Sequence, residues 1–311
     1  MTNNALFHPL RQSLCRFLSV FAVLLLSACG EQPATPDKSA AEPVVDSAWQ
    51  ARLQAAAEGD HRSARNLARN AFRHPVSTLL FLGLQPDMTV VEVWPGGGWY
   101  SEVLAPALRD NGTLIAANFP DSAMPPFRAR IGADYLAKMA AQPDVYDQVQ
   151  VVDFDPPASA TLGEPATADM VLLSRHFHNF IRGDIVAEVL SAARQVLKPG
   201  GVLAIIQHRA AADAVPETEQ RDGYVRQQWL IDTVTAAGFE FVASSEINAN
   251  PQDSRDHPAG VWSLPPSLRS CSDLQGDAWQ DCAKTYRQIG ESDRMTLRFS
   301  KPDTDSTSAG E

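Results

Sequence analysis

The fold is decided by one stretch, Val90-Val-Glu-Val-Trp-Pro-Gly-Gly-Gly-Trp-Tyr100. An apolar run of strand type passes into three consecutive glycines, and a helical pattern follows over 99–109. Glycine tolerates positive φ and lets the backbone approach a ligand closely. The helix after the turn would point its free N–H groups and positive dipole end at that ligand. The stretch therefore predicts a strand, a ligand-binding turn and a helix.

Strand and helix patterns alternate on both sides of this stretch. The predicted strands are 90–94, 114–118, 148–152, 170–174, 202–207, 240–245 and 295–300. The predicted helices are 47–72, 75–84, 99–109, 127–141, 184–197 and 223–237. Near-continuous apolar strands that alternate with helices are typical of an α/β, doubly wound and mostly parallel sheet covered on both faces.

Four later motifs follow the quoted stretch along the chain. They are Asp153-Phe154, Asp169-Met-Val-Leu-Leu-Ser174, Leu197-Lys-Pro-Gly-Gly-Val-Leu203 and Ala236-Ala-Gly-Phe-Glu240. With the first motif they resemble class I S-adenosylmethionine (SAM)-dependent methyltransferases, over residues 85–246 and 295–300. Longer strings such as Gly260-Val-Trp-Ser-Leu-Pro-Pro266 resemble a subgroup of predicted methyltransferases that are often exported. The resemblance implies SAM as cofactor and a Rossmann-like sheet with an antiparallel last strand, preceded by an insertion at 247–294.

The resemblance also implies a cofactor site at the carboxyl ends of the strands. Its residues would be Glu92, Pro95, Gly96, Gly97, Gly98, Asn118, Asp153, Phe154 and Ser174. Glu92 would lie near the ammonium group of the cofactor, and Asp153 and Phe154 would hold its adenine. Two positions depart from the family pattern: Trp94 stands where a first glycine is usual, and Asn118 replaces the acidic residue that binds the ribose hydroxyls. An uncharged amide makes a weaker hydrogen bond to a hydroxyl than a carboxylate does.

Three histidines follow two neighbouring strands of the predicted sheet. His176 and His178 come after the fourth strand, and His208 comes after the fifth. Because ligands bind at the carboxyl ends of the strands in such sheets, these three are the candidate catalytic residues. One imidazole would take a proton from the methyl acceptor. Capping of the strands and a metal site made by all three are the alternative interpretations.

The insertion at 247–294 is placed by topology. The sixth strand ends, and the antiparallel seventh strand begins, at the edge where the cofactor would lie. The insertion is therefore either a lid that shapes the substrate site or a structural cover for the sheet edge. Cys271 and Cys282 within it are predicted to form a disulfide, as expected in an oxidising compartment.

The first residues have the pattern of a bacterial lipoprotein signal peptide. Arg11 and Arg16 precede an apolar run that is too short to span a bilayer and ends in Leu26-Ser-Ala-Cys29. This lipobox predicts cleavage after residue 28, lipidation of Cys29 and a location on the periplasmic side of the cell envelope, with Gly30 favouring the outer membrane. The predicted organisation is a signal peptide over 1–28, a flexible tether over 29–46, a methyltransferase-like domain over 47–300 and a disordered tail over 301–311.

Charge restricts the possible partners. The chain carries 26 basic and 37 acidic side chains, a formal net charge of −11. Residues 1–28 hold two of the arginines and no acidic residue, so cleavage leaves 24 basic side chains and a charge of −13. Such a chain repels phosphate backbones and anionic lipid surfaces, so nucleic acid is disfavoured as a partner and membrane attachment depends on the lipid anchor.

The leading functional prediction is a SAM-dependent methyltransferase that acts on an unknown small-molecule or envelope acceptor. Export conflicts with this function, because SAM is made in the cytosol. One alternative is a non-catalytic metabolite-binding or scaffold lipoprotein on the same fold. Another is a dinucleotide-dependent oxidoreductase, suggested by Gly96-x-Gly98-x-x-Ser101, although the third glycine and the acidic residue after strand two are missing. Neither the acceptor nor the oligomeric state follows from the sequence.

Overall fold

The computed structural model describes residues 46–214 and 222–303. The predicted signal peptide, the lipidation site Cys29, the tether up to residue 45 and the tail from residue 304 lie outside the described residues. Within the described ranges, no helix is both long enough and apolar enough to cross a membrane.

A seven-stranded sheet forms the centre of the described chain. Its strands are β1 (Thr89–Val93), β2 (Thr113–Asn118), β3 (Gln150–Asp153), β4 (Ala168–Ser174), β5 (Leu197–His208), β6 (Glu240–Ser245) and β7 (Arg294–Ser300). The strand order is β3-β2-β1-β4-β5-β7-β6, and the pairs are parallel except that β7 runs antiparallel to β5 and β6. The predicted Rossmann-like α/β fold with an antiparallel last strand is confirmed.

Helices cover both faces of the sheet. They are α1 (Ser47–Glu58), α2 (Ala64–Leu67), α3 (Asn70–Arg73), α4 (Pro75–Phe81), α5 (Ser101–Leu108), α6 (Pro126–Ala141), α7 (Pro143–Tyr146), α8 (Phe177–Arg182), α9 (Val186–Val196), α10 (Gln227–Ala236) and α11 (Gly276–Ile289). Side chains of a strand alternate between the two faces. Val91 and Val93 of β1 accordingly belong to the core that includes α9 and α10, whereas Val90 belongs to the core that includes α1, α4 and α5.

The direction of the crossovers changes between β1 and β4. Strands β2 and β3 lie on one side of β1, and strands β4 and β5 lie on the other side. In open α/β sheets, ligands bind in the crevice beyond the carboxyl ends of the strands at this switch point. The fold therefore predicts a ligand site beside residues 94–100, after β1, and residues 175–176, after β4.

The helix predicted over 47–72 is wrong as a single element. Helix α1 ends at Glu58, and Gly59 has an extended backbone (φ −63°, ψ 147°). The break turns Arg62 into the protein, where its Nε donates to the buried carboxylate of Glu102 in α5 at 3.0 Å. The chain thus leaves the helical path after α1, and Arg62 forms a buried ion pair with a residue of another helix.

Helix α11 was not predicted, although its sequence carries a helical signal. Trp279, Cys282, Ala283 and Tyr286 recur at three- and four-residue spacing, which is typical of one helical face. The residues between them are mostly polar or charged, so the apolar periodicity of this segment is weak. After β7, the backbone of Lys301 forms hydrogen bonds with Gly200 and Gly201 of β5, so the pairing between β5 and β7 continues one residue beyond β7.

Candidate functional site

A cavity of about 460 Å³ lies beyond the carboxyl ends of β1 and β4. We call it the arginine cavity. Three chain segments build it: the glycine turn after β1, the residues around α2 and α3, and the residues that end β4. Its lining side chains and turn residues are Ser63, Arg65, Asn66, Arg69, Arg73, Glu92, Val93, Trp94, Pro95, Gly96, Gly97, Trp99, Tyr100, Ser174, Arg175 and His176.

The glycine turn opens its backbone to the arginine cavity. Gly96 has a φ of +57°, in the left-handed region that favours glycine. A Cβ atom at Gly96 or at Gly97 would meet no atom within 4 Å, so this part of the turn faces free space. The turn can therefore be approached closely by a ligand, as the sequence predicted.

Three arginines reach the cavity from the segment around α2 and α3. Arg65, Arg69 and Arg73 follow each other at four-residue spacing, which places side chains on one side of a helical segment. Arg69 and Arg73 donate to opposite oxygens of Glu291, at 2.6 and 2.8 Å. Arg294 also donates to Glu291, at 2.6 Å. One carboxylate therefore serves three guanidinium groups.

The pairing of these arginines is incomplete. The Nη2 atoms of Arg69 and Arg73 are buried and have no hydrogen-bond partner among the described residues. Although burial alone would raise it, the charges of Arg294, Arg175 and Arg69 hold the pKa of Glu291 below its usual value. Glu291 is therefore ionised at neutral pH, and its single negative charge leaves excess positive charge at the cavity wall.

Arg175 adds a further cation at the end of β4. Its φ is +64°, and its Nε donates weakly to His208 Nε2 at 3.5 Å. Burial lowers the pKa of Arg175 to about 10, so the guanidinium remains protonated at neutral pH. It forms no salt bridge with a carboxylate of residues 46–214 or 222–303.

Glu92 is the acidic group of β1 that lines the same cavity. It is 3% exposed and accepts a hydrogen bond from Ser101 Oγ at 2.5 Å. Burial raises the pKa of Glu92 to about 7, against the opposing effect of the bond from Ser101. Its raised pKa means that Glu92 is less ionised at neutral pH than an exposed glutamate, so it offsets the arginine charge only partly.

The predicted cofactor residues separate into two groups. Those that line the arginine cavity are Glu92, Pro95, Gly96, Gly97 and Ser174. Those that do not line it are Gly98, Asn118, Asp153 and Phe154. Gly98 faces the ring of Tyr135 in α6, and the amide of Asn118 donates to the Gly132 carbonyl at 3.0 Å. Asp153 is exposed at the end of β3, and the ring of Phe154 is buried in the core.

Trp94 fills the space between the ends of β1, β2 and β3. Its ring centroid is 4.6 Å from that of Phe119 and 4.9 Å from that of Phe180. Its Nε1 donates to the Phe154 carbonyl at 2.8 Å, and the Arg128 guanidinium lies 5.3 Å from the ring centroid. The family resemblance places the adenine of SAM beside the residue after β3. The indole of Trp94 donates to the carbonyl of that residue, Phe154, and Trp94 is 2% exposed.

The described residues match one part of SAM better than the other. The glycine turn and Glu92 line the cavity and are available to the methionyl part, whereas Asn118, Asp153 and Phe154, which the resemblance assigns to the adenosine part, do not line it. The arginines of the wall match the carboxylate of SAM and repel its sulfonium and ammonium groups, and Glu92 is the acidic group of the lining that opposes this repulsion.

A second cavity, of about 170 Å³, holds the three predicted histidines. We call it the histidine cavity. It adjoins the arginine cavity because both are lined by Arg175 and His176. The rings of His178 and His208 lie 5.6 Å apart, and Trp262 of the insertion covers His178 at 5.6 Å.

Burial makes these histidines poor proton acceptors. Burial and the Arg175 charge lower the pKa of His176 to about 4, and burial lowers that of His178 to about 3. The pKa of His208 is also lowered well below its usual value, by burial and by Arg175. A general base works best with a pKa near the operating pH, so Glu92 suits proton transfer better than any of the three. Among the described residues, no group of three or more potential ligands could hold a metal ion.

The insertion lies over the carboxyl edge, where topology predicted it. Val261, Trp262 and the Pro265-Pro266 pair line the histidine cavity. Cys271 and Cys282 form a disulfide, with a sequence separation of 11 residues, within the insertion.

The three arginines of the arginine cavity were not predicted as site residues. Their four-residue spacing is visible in the sequence, but Glu291, the partner of Arg69 and Arg73, lies about 220 positions away along the chain.

No protein-family model matches the chain, and no curated protein matches it. Among solved structures, it is similar to a SAM-dependent methyltransferase from Aquifex aeolicus, at 18% identity over 64% of this chain and 93% of the other, with a TM-score of 0.47. It is also similar to the [4+2]-cyclase SpnF, at 17% identity over 79% and 86%, with a TM-score of 0.49. A third is a geranyl diphosphate C-methyltransferase from Streptomyces coelicolor A3(2), solved with S-adenosyl-L-homocysteine (SAH), at 13% identity over 80% and 88%, with a TM-score of 0.47. These similarities are too distant to assign roles to residues.

Proposed function

We propose that the chain binds a small anionic metabolite in the arginine cavity. The observation that carries the proposal is the incompletely paired cationic wall: among the described residues, the buried Nη2 atoms of Arg69 and Arg73 have no hydrogen-bond partner, and Arg175 forms no salt bridge. Leaving buried donors unsatisfied is costly, and most costly for charged groups. A ligand with carboxylate or phosphate oxygens would satisfy them through charge-assisted and bidentate hydrogen bonds.

The open glycine turn supports the same proposal. It offers backbone at close range in the wall of the same cavity, just before the start of α5. The overall charge of the chain is −11, so a local positive cavity stands out against an acidic surface and attracts anions selectively. The ligand is bound as a small molecule, since nucleic acid would be repelled by the rest of the surface.

SAM-dependent methyl transfer to an unknown small-molecule or envelope acceptor is the second candidate function. It is favoured by Glu92, Gly96 and Gly97, which line the cavity where the resemblance places the methionyl part of the cofactor. Transfer of label from methyl-labelled SAM into an envelope extract, abolished by Gly96→Arg, would support this candidate. Absence of transfer, together with anion binding, would eliminate it.

We further propose that the protein works on the periplasmic side of the envelope, anchored through lipidated Cys29. The lipobox around Cys29 and the disulfide between Cys271 and Cys282 support this location, because disulfides persist in oxidising compartments. Cys29→Ser should abolish labelling of the protein by a fatty-acid analogue and release it from membranes. Retention of label in that variant would refute the anchor.

The anion proposal is tested by calorimetric titration of the purified periplasmic chain, residues 30–311, with inorganic phosphate and with succinate. The exposed Arg65 at the cavity wall is reversed in Arg65→Glu, and the matched control Arg130→Glu reverses an exposed arginine of α6 outside the cavity. At least one anion should bind, and Arg65→Glu should weaken its binding about tenfold or more. Equal loss in both variants would indicate only a general charge effect and would contradict the proposal.

A further inference from the structure

An apolar groove of about 670 Å³ adjoins the arginine cavity. Its lining residues are Arg65, Ala68, Arg69, Phe72, Pro265, Pro266, Ser267, Leu268, Ser272, Trp279, Arg287 and Glu291. Arg65 and Arg69 line both the groove and the arginine cavity. The two spaces are therefore neighbours that have the Arg65 and Arg69 side chains as a common wall.

The walls of the groove are largely hydrocarbon, and part of them is open to solvent. Phe72, next to the arginine cavity, is 40% exposed. The facing wall comes from the insertion and consists of Leu268, the Pro265-Pro266 pair and Trp279, which is partly exposed. Aliphatic stems of arginine can cover apolar surface while their charged ends point elsewhere. Two neighbouring spaces thus differ in character: the arginine cavity is mainly cationic, and the apolar groove is mainly hydrocarbon, with Arg287 and Glu291 as its further charged lining residues.

We propose that the ligand is an anionic amphiphile, with a phosphate or carboxylate head in the arginine cavity and a hydrocarbon tail along the apolar groove. This proposal rests on the proposed function, because it uses the same cationic site for the head. The lining residues that the two spaces share place the groove beside the cationic site, and this proximity specifies the occupant of the groove. A purely polar anion would leave the exposed Phe72 and the partly exposed Trp279 without a function in binding.

In this proposal the insertion forms part of the binding site for the hydrocarbon tail. Its Pro265-Pro266 pair lines both the apolar groove and the histidine cavity, so one segment contacts the tail and closes the space beside the head. The disulfide between Cys271 and Cys282 links the loop that carries Leu268 to helix α11, which carries Trp279. The insertion is then the wall that selects the tail, which is a specific form of the predicted substrate-shaping lid.

A series of n-alkyl phosphates tests the proposal. Inorganic phosphate and methyl, butyl, octyl and dodecyl phosphate are titrated into residues 30–311, each below its micelle concentration. Affinity should rise about two- to fourfold for each methylene that enters the groove, and then level off when the chain extends beyond it. The same series of fatty acids distinguishes a phosphate head from a carboxylate head.

Two groove variants and one control locate the effect. Phe72→Ser and Trp279→Gln should each reduce the gain per methylene while leaving the affinity for inorganic phosphate within about twofold. Phe127→Ser, which removes a 49% exposed phenylalanine from α6 outside the groove, should change neither quantity. The two groove variants change different walls, so failure of one to fold leaves the other to decide.

The outcomes separate this proposal from the proposed function. Binding of phosphate with no dependence on chain length would overturn the amphiphile proposal and leave the anion site standing. Lack of binding by every member of both series would overturn both. If the groove is instead covered by a second copy of the chain, self-association would weaken in Phe72→Ser and chain length would have no effect, which also overturns the proposal.

Discussion

Trp94 combines an unfavourable backbone with a favourable side-chain position. Its φ is +50°, a region that costs a bulky residue free energy, and the usual residue at this point of the motif is glycine. Burial of the indole against Phe119 and Phe180, and its bond to the Phe154 carbonyl, offset that cost. The side chain thus fills space beside Phe154, near which the family resemblance expects the adenine.

Replacing Trp94 by glycine should therefore open that space. Trp94→Gly is expected to gain measurable binding of SAH in calorimetry, and to lose about 2–4 kcal/mol of unfolding free energy through the new cavity. Trp94→Phe is the matched control, because a phenyl ring keeps most of the space filled and should not create binding. A folded Trp94→Gly protein with no affinity for SAH would mean that the indole is not what excludes adenosine.

Ionisation of Glu92 makes the stability of the folded chain depend on pH. A carboxyl group whose folded-state pKa is raised from 4.5 to about 7 takes up protons on folding, so it lowers stability as pH rises from about 4.5 to about 7 and has a constant effect above. Glu92→Gln lacks this effect and can still accept the bond from Ser101. Its advantage over the unmodified chain should grow by about 3 kcal/mol between pH 4.5 and pH 8, measured by urea unfolding. Glu240→Gln, at an exposed position, should show no such trend, and a flat difference for Glu92→Gln would disprove the raised pKa.

Among the elements, the insertion depends on one carboxylate for its position. Asp293 is 1% exposed and accepts from Arg209 of the β5 edge at 2.9 and 3.0 Å and from Arg255 of the insertion at 2.7 Å. It also accepts from the backbone N–H of Asn250 at 2.8 Å. A single side chain near the end of the insertion therefore joins two residues near the start of the insertion to the residue that follows β5.

Removal of this carboxylate should loosen the insertion. Asp293→Ala leaves Arg255 without its carboxylate partner and Arg209 with only the exposed Glu246, and it should cost about 2–3 kcal/mol, after allowance for the remaining exposure of the two guanidinium groups. Asp110→Ala removes the exposed partner of Arg52 and should cost less than about 1 kcal/mol. Urea unfolding of both variants measures the difference, and similar losses would show that the insertion is held by other contacts.

Sequence and structure agree most closely at the level of strands. The strands were predictable because each is a short, nearly continuous apolar run between helical patterns, as in Val202–Gln207 within β5. The break after Glu58 has local signals in the sequence, Gly59 as the C-cap of α1 and Ser63 as the N-cap of α2, but the burial of Arg62 against Glu102 in another helix is visible only in the folded chain. Trp94 was visible as a departure from the motif. The position of its ring was not, since it depends on loops that meet only in the folded chain.

For the whole molecule, the proposed site removes a conflict between location and cofactor. Export, as proposed, would separate the domain from SAM made in the cytosol, and the cavity beside the glycine turn is rich in arginine. The proposed lipid anchor would also bring membrane amphiphiles close to this cavity. The fold and the charge of the cavity are then consistent with the proposed location and with a binding protein on a methyltransferase-like scaffold.

The most direct test of this account is a side-by-side calorimetric titration of disulfide-intact residues 30–311 with SAH and with octyl phosphate. The account predicts saturable binding of octyl phosphate, weakened by Arg65→Glu, and no heat from SAH. Micromolar binding of SAH to the unmodified chain, lost on Gly96→Arg and accompanied by no binding of the phosphate, would contradict it and establish the methyltransferase interpretation in its place.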